Sequence, residues 1–113
     1  MLRQAGAELI AWSPVADADL PDVDGLYLGG GYPELHAGAL AENAAIRKAV
    51  RGFAEVGRPI YAECGGLMFL ADSLEDLGGR VHPMVGVLPA AVRMREHGLT
   101  LGYAEVTLTG DCL

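Results

Sequence analysis

Tyr61-Ala62-Glu63-Cys64-Gly65-Gly66-Leu67-Met68-Phe69-Leu70 joins a strand-like stretch, Arg58 to Ala62, to an apolar helix-like stretch through a small-residue turn that carries Cys64. This is the layout of a nucleophile elbow. A nucleophile at the tip of a tight strand-to-helix bend sits in a strained backbone conformation, and its flanks must be small so that strand and helix can approach. Ala62 and Gly66, two residues before and two after Cys64, meet that need. The bend also places the thiol at a helix N-terminus, where unpaired amides and the helix dipole favour the thiolate. The amide of Gly65 points where an oxyanion forms during attack on an acyl carbon. The competing reading of Cys64 is a buried, inert small hydrophobe.

Outward from the elbow, strand and helix patterns alternate. Leu2 to Ala5 reads as the tail of a helix stopped by Gly6, and a strand is expected at about Glu8 to Trp12. Val15 to Asp24 is an acidic loop leading to a short buried strand, Gly25 to Leu28, which ends at Gly29-Gly30-Gly31. Asn43 is a suitable N-cap for a helix ending near Gly57. Ile46, Val50, Phe53 and Ala54 share one face of it, and Arg47, Lys48, Arg51 and Glu55 read as a solvated face. Beyond Gly78-Gly79, strands are expected around Val85 to Leu88 and Leu101 to Leu108.

That alternation predicts an α/β fold with a mostly parallel sheet, helices on both faces and right-handed crossovers. Function in such sheets collects at the carboxyl ends of the strands. The Gly29 to Gly31 and Glu63 to Gly66 turns both fall on that edge and are expected to be neighbours. Beside a cysteine elbow, Gly30 and Gly31 can supply the second oxyanion donor. The phosphate-cradle reading lacks a GxxxxGK[ST] or a GxGxxG at a helix start, whereas a purely structural tight turn stays open.

Composition bounds the setting. At 113 residues the chain is one domain or part of one. With 51% hydrophobic and 20% charged residues it has the balance of a packed protein rather than of a disordered tail. A net charge of -7 argues against nucleic-acid or anionic-membrane partners, which need clustered Lys and Arg. Cys64 and Cys112 form no CxxC pair, and a reducing, cytoplasmic setting is the simpler expectation. No apolar run approaches a membrane span, and Met1 to Trp12 lacks a signal-peptide layout. The three histidines lack zinc-ligand spacing.

Leu28-Gly29-Gly30-Gly31-Tyr32-Pro33-Glu34-Leu35-His36, the Tyr61 to Leu70 segment, Met84-Val85-Gly86-Val87-Leu88-Pro89 and Leu101-Gly102-Tyr103 together closely resemble the glutamine amidotransferase domain of the cobyrinic acid a,c-diamide synthases. The resemblance covers essentially the whole chain, in the same order. GGGYPELH and AECGGLM are specific to that subgroup, whereas amidotransferases of class I more often carry glycine where Ala62 stands. The resemblance implies a flavodoxin-like, Rossmann-like three-layer sandwich. It also implies a two-part ligase in which an ATP- and Mg2+-dependent domain activates the a and c carboxylates of cobyrinic acid while this domain releases ammonia from glutamine. Cys64 would be the nucleophile, and Gly30, Gly31 and Gly65 the oxyanion hole.

The resemblance places the general-base histidine in a G-H-E-x-H type segment that these 113 residues do not contain. It also places a further strand before Leu2. The chain therefore reads as an internal piece of the domain, expected to hydrolyse glutamine far more slowly by itself than the intact enzyme. His36 belongs to the glycine-loop motif, and His82 and His97 fall in stretches that read as irregular surface. The chain needs no cofactor of its own on this reading. Its other readings are a diamide synthase for hydrogenobyrinic acid or nickel sirohydrochlorin, or a catalytically silent interaction module. A homodimer is compatible with all of them and is not specified by the sequence.

Overall fold

The computed structural model describes residues 1–96. The strand expected at Leu101 to Leu108, together with His97, Tyr103 and Cys112, lies outside the described residues. Two short parallel strands form the centre of the site: β1 (Leu26–Leu28) and β2 (Ile60–Ala62), paired Leu26 to Ile60, Tyr27 to Tyr61 and Leu28 to Ala62. Between them run α1 (Ala37–Glu42) and α2 (Ala44–Glu55). After β2 come α3 (Gly65–Leu70), β3 (Ala71–Glu75), β4 (Val81–Pro83) and β5 (Leu88–Arg93). β3 pairs antiparallel with β4 and parallel with β5, which makes a second, three-stranded sheet.

Helix α2 forms where its pattern demands. Asn43 caps it, its side-chain oxygen accepting from the Ile46 amide at 3.3 Å, a contact worth about 1 kcal/mol. The Asn43 amide group also donates to Pro14 and Asp17 carbonyls, tying the acidic loop to the helix start. Ile46, Val50 and Phe53 are buried, each contributing about 2 kcal/mol. They meet Leu26 and Leu28 from β1, Phe69 and Leu70 from α3, Leu74 from β3, and Met84 and Val85 in one core.

Several expectations are corrected. Residues 8–12 form no strand: Leu9 and Ile10 are about half exposed, and an apolar run without a ladder partner among the described residues has no hydrogen-bonding reason to extend. The elbow helix stops at Leu70 and the chain turns directly into β3, a strand that the continuous apolar run concealed. Val85 to Val87 is not strand; its amides donate to the carbonyls of Phe69, Ala71 and Leu70, so it satisfies the end of α3, and β5 begins only at Leu88.

Arg47, read as solvated, is partly buried, and both it and the exposed Arg51 reach the same segment. Arg47 donates to the carbonyls of Met84 and Ala41, and Arg51 Nε donates to Val85 O at 2.7 Å. Arg47 Nε is buried with no partner among the described residues. The guanidinium groups find acceptors up to 37 positions away in sequence, which a helical wheel does not reveal.

His82, also read as surface, is buried on β4, with Nε2 2.7 Å from Asp76 Oδ2. Asp76 Oδ1 accepts from the amides of Gly78 and Arg80 and so closes the β3–β4 turn. The His82 contact, then the Arg80 and Gly78 amides, hold the Asp76 carboxyl below its ordinary value. A depressed carboxylate stabilises the fold above the unfolded value of about 3.9 and loses that contribution as pH falls through the lower folded value. Asp76→Asn is therefore expected to lower the urea midpoint at neutral pH, and the gap from the unsubstituted protein should close as pH drops below about 4. A gap that stays constant down to pH of about 3 would contradict this assignment.

Candidate active site

The elbow is built by three features of the local sequence. Cys64 adopts φ 50° and ψ −114°, the one non-glycine residue with positive φ among those described. Such a conformation costs about 1–3 kcal/mol and persists only where its surroundings hold it. They do so here through hydrogen bonds: Glu63 N donates to Leu28 O at 3.0 Å, continuing the β1–β2 ladder past its last paired residues. Gly66 N donates to both Gly29 O and Glu63 O, and Met68 N to Cys64 O.

Close packing completes the elbow. A Cβ on Gly66 would sit 2.3 Å from Leu28 O and 2.7 Å from Leu28 Cβ, so α3 rests directly on the end of β1. One on Gly65 would meet Pro33 Cδ at 2.9 Å and Gly31 O at 3.0 Å. The GGG loop and the elbow are therefore in direct contact, as their shared sheet edge predicted.

The structure brings all four sequence-predicted site residues together. A Cβ built on Gly30 would lie 3.7 Å from Cys64 Cβ. Cys64 is a free, exposed cysteine, which removes the buried-hydrophobe reading. The amides of Gly30, Gly31 and Gly65 donate to no acceptor among the described residues. An exposed thiol thus stands beside a glycine loop and turn whose three N–H groups are uncommitted among the described residues.

The histidines do not join it. His82 is committed to Asp76, and no hydrogen bond links Cys64 to a histidine among the described residues. His36 is exposed and borders a cavity of about 280 Å³ next to the loop, lined also by Trp12, Tyr27, Tyr32, Phe69 and the glycines. Cys64 is not part of that lining.

Two residues at the site escaped the sequence reading. The Tyr27 hydroxyl donates to Glu63 Oε1 at 2.7 Å, and the Tyr27 ring stacks on Tyr61 with centroids 5.2 Å apart. The Glu63 contact, aided by slight desolvation and the carboxylate's charge, raises the Tyr27 phenol above its ordinary value. Period-two alternation places Tyr61 and Glu63 on one face, but bringing Tyr27 to that face needs the parallel register that only pairing supplies.

Among the described residues, no group of three or more His, Cys, Asp or Glu is placed to hold a metal ion, and no helix is long and apolar enough to cross a membrane.

A cysteine on a strained strand-to-helix elbow, packed against a glycine loop from the adjacent parallel strand, marks an α/β protein with its candidate site at the sheet edge. The chain belongs to the CobB/CobQ-like glutamine amidotransferase domain family, whose model matches residues 1–112. It is 53% identical over 106 residues to the cobyrinate a,c-diamide synthase of Syntrophotalea carbinolica, covering 93% of this chain and 23% of that protein. The cobyrinate a,c-diamide synthase of Leptospira interrogans is 48% identical over 94% of the chain and 23% of its own length. The hydrogenobyrinate a,c-diamide synthase of Pseudomonas aeruginosa is 46% identical over 96% of the chain and 25% of its own length. No solved structure matches the chain significantly. The chain spans about a quarter of the length of the curated relatives it matches.

Proposed function

We propose that this chain is the glutamine-hydrolysing, ammonia-supplying part of an ATP-dependent ligase that amidates the a and c carboxylates of cobyrinic acid in cobalamin biosynthesis. The observation that carries the reading is the exposed Cys64 in its strained elbow, with the free amides of Gly30, Gly31 and Gly65 around it. The names of its relatives support the acceptor.

In the reaction, the Cys64 sulfur attacks the side-chain amide carbon of glutamine. The carbonyl oxygen takes the negative charge and is held by the glycine amides, each donor worth about 3 kcal/mol. The C–N bond breaks as the nitrogen gains a proton, which releases ammonia and leaves a glutamyl thioester on Cys64. Water then attacks the thioester, giving glutamate and the free thiol. The proton transfers need a histidine. His82 does not serve as that histidine, being engaged with Asp76. The proposal assigns ATP and Mg2+ to the synthetase part of the ligase.

The hydrogenobyrinate relatives match as well as several cobyrinate ones, and the proposal assigns the choice between the two rings to the synthetase part. Cytoplasmic location, the absence of a nucleic-acid or membrane partner, and a homodimeric assembly belong to the same proposal. Its test is a glutamine-mimicking diazo-ketone, which should alkylate Cys64 in the intact protein and be blocked by glutamine. Labelling that glutamine does not slow would remove the glutaminase reading.

A further inference from the structure

We propose that Tyr27 and Glu63 are positioning residues for Cys64: the Tyr27 hydroxyl grips the Glu63 carboxylate and thereby fixes the peptide that carries the nucleophile against the glycine loop. This rests on the glutaminase reading for its substrate, but not for its geometry.

Cys64 holds a backbone conformation that the chain by itself disfavours. Restraint of the residue before it is therefore part of what keeps the thiol in place. The Glu63 backbone is held by Leu28 O on one side and by the Gly66 amide on the other. Its side chain is the remaining freedom. The register pairs Tyr27 with Tyr61, so Glu63 lies two residues further along on the same face, within diagonal reach of Tyr27. The 2.7 Å hydrogen bond occupies that diagonal.

Tyr27 is in turn fixed from both sides. Its ring stacks on Tyr61 at an interplanar angle of 15°, and its Cε1 lies 3.4 Å from where a Cβ on Gly29 would be. One tyrosine thus contacts the strand before the elbow, the residue before the nucleophile and the root of the glycine loop. Both partners are exposed, so the hydrogen bond does little for the core and the expected consequence is local.

The test uses the intact protein with Tyr27→Phe, Glu63→Ala, the double variant and Glu63→Gln. Tyr27→Phe keeps the ring stack and removes only the donor, and Glu63→Gln keeps an acceptor for it. Tyr27→Phe and Glu63→Ala should each lower kcat for ammonia release from glutamine about fivefold with KM nearly unchanged, the scale of one exposed hydrogen bond to a charged group. The double variant should be no slower than the slower single, and Glu63→Gln should keep most of the activity.

Additive losses would overturn the pair, as would an unchanged kcat in Tyr27→Phe. So would a raised KM at constant kcat in Glu63→Gln, which would instead make the carboxylate a contact for the substrate's ammonium group. Iodoacetamide alkylation of Cys64 is followed in the same variants. If glutamine fails to protect Cys64 from the diazo-ketone, the glutaminase reading falls, while the iodoacetamide rates still show or refute the coupling between Tyr27 and Glu63.

Discussion

Cys64→Ala is expected to abolish glutamine-supported amidation by the intact enzyme, by about 10³-fold or more, while amidation supplied with free ammonium is left near its original rate. The split follows from where Cys64 stands. Its thiol is exposed at the tip of the elbow, outside the core formed by Leu28, Ile46, Phe53 and Leu74, so truncating it removes the proposed nucleophile without opening a cavity. The three glycine amides remain, but with no sulfur to form the tetrahedral intermediate they have no charge to stabilise. External ammonia bypasses the missing step because this domain is proposed only to generate it. The measurement is product formation with glutamine and with ammonium chloride in parallel. Equal loss with both nitrogen sources would mean that Cys64 supports the synthetase part rather than glutamine hydrolysis.

Gly66→Ala should be the most damaging single methyl group that can be added near the site. The new Cβ would fall 2.3 Å from Leu28 O, 2.7 Å from Leu28 Cβ and 2.8 Å from Leu28 C. None of these is the end of a flexible side chain, so relief requires α3 to lift away from β1. That motion breaks the bonds from the Gly66 amide to Gly29 O and Glu63 O, which hold the elbow. Overpacking of this kind costs about 3 kcal/mol, a large fraction of the stability of a domain this size. Gly52→Ala is the matched control: it lies in α2, nothing stands within 4 Å of its added Cβ, and alanine is the better helix former. Urea midpoints should fall sharply for the first and hold or rise slightly for the second. Gly66→Ala with an unshifted midpoint and normal Cys64 labelling would show that α3 does not sit on β1 as described.

Gly65→Ala separates packing from chemistry at the same turn. Its Cβ would press on Pro33 Cδ and Gly31 O, that is, on the glycine loop rather than on the strand. The two neighbouring glycines are thus small for different reasons, Gly66 for the fold and Gly65 for the loop beside the thiol.

Much of this architecture is legible in the residue pattern. The elbow could be read because its constraint is local: a cysteine at a strained bend needs Ala62 and Gly66 on either side, and those residues are visible in ten consecutive letters. The α2 boundaries were legible for the same reason, since Asn43 and the Ile46, Val50, Phe53 spacing act within one helix. Strand β3 was hidden because Phe69-Leu70-Ala71 is apolar on both sides of the helix end, and hydrophobicity by itself does not mark where the period changes from 3.6 to 2.

Residue types within a few positions of one another are enough to mark the nucleophile candidate, the glycine loop, their common sheet edge and the family resemblance. Tertiary structure alone decided what surrounds them. It took the parallel register of β1 and β2 to set Tyr27 against Glu63, the return of the chain at Met84 and Val85 to occupy Arg47 and Arg51, and the β3–β4 turn to bury His82 against Asp76. Those contacts join residues up to 37 positions apart, and the free energy that selects them comes from packing and pairing that no local pattern records.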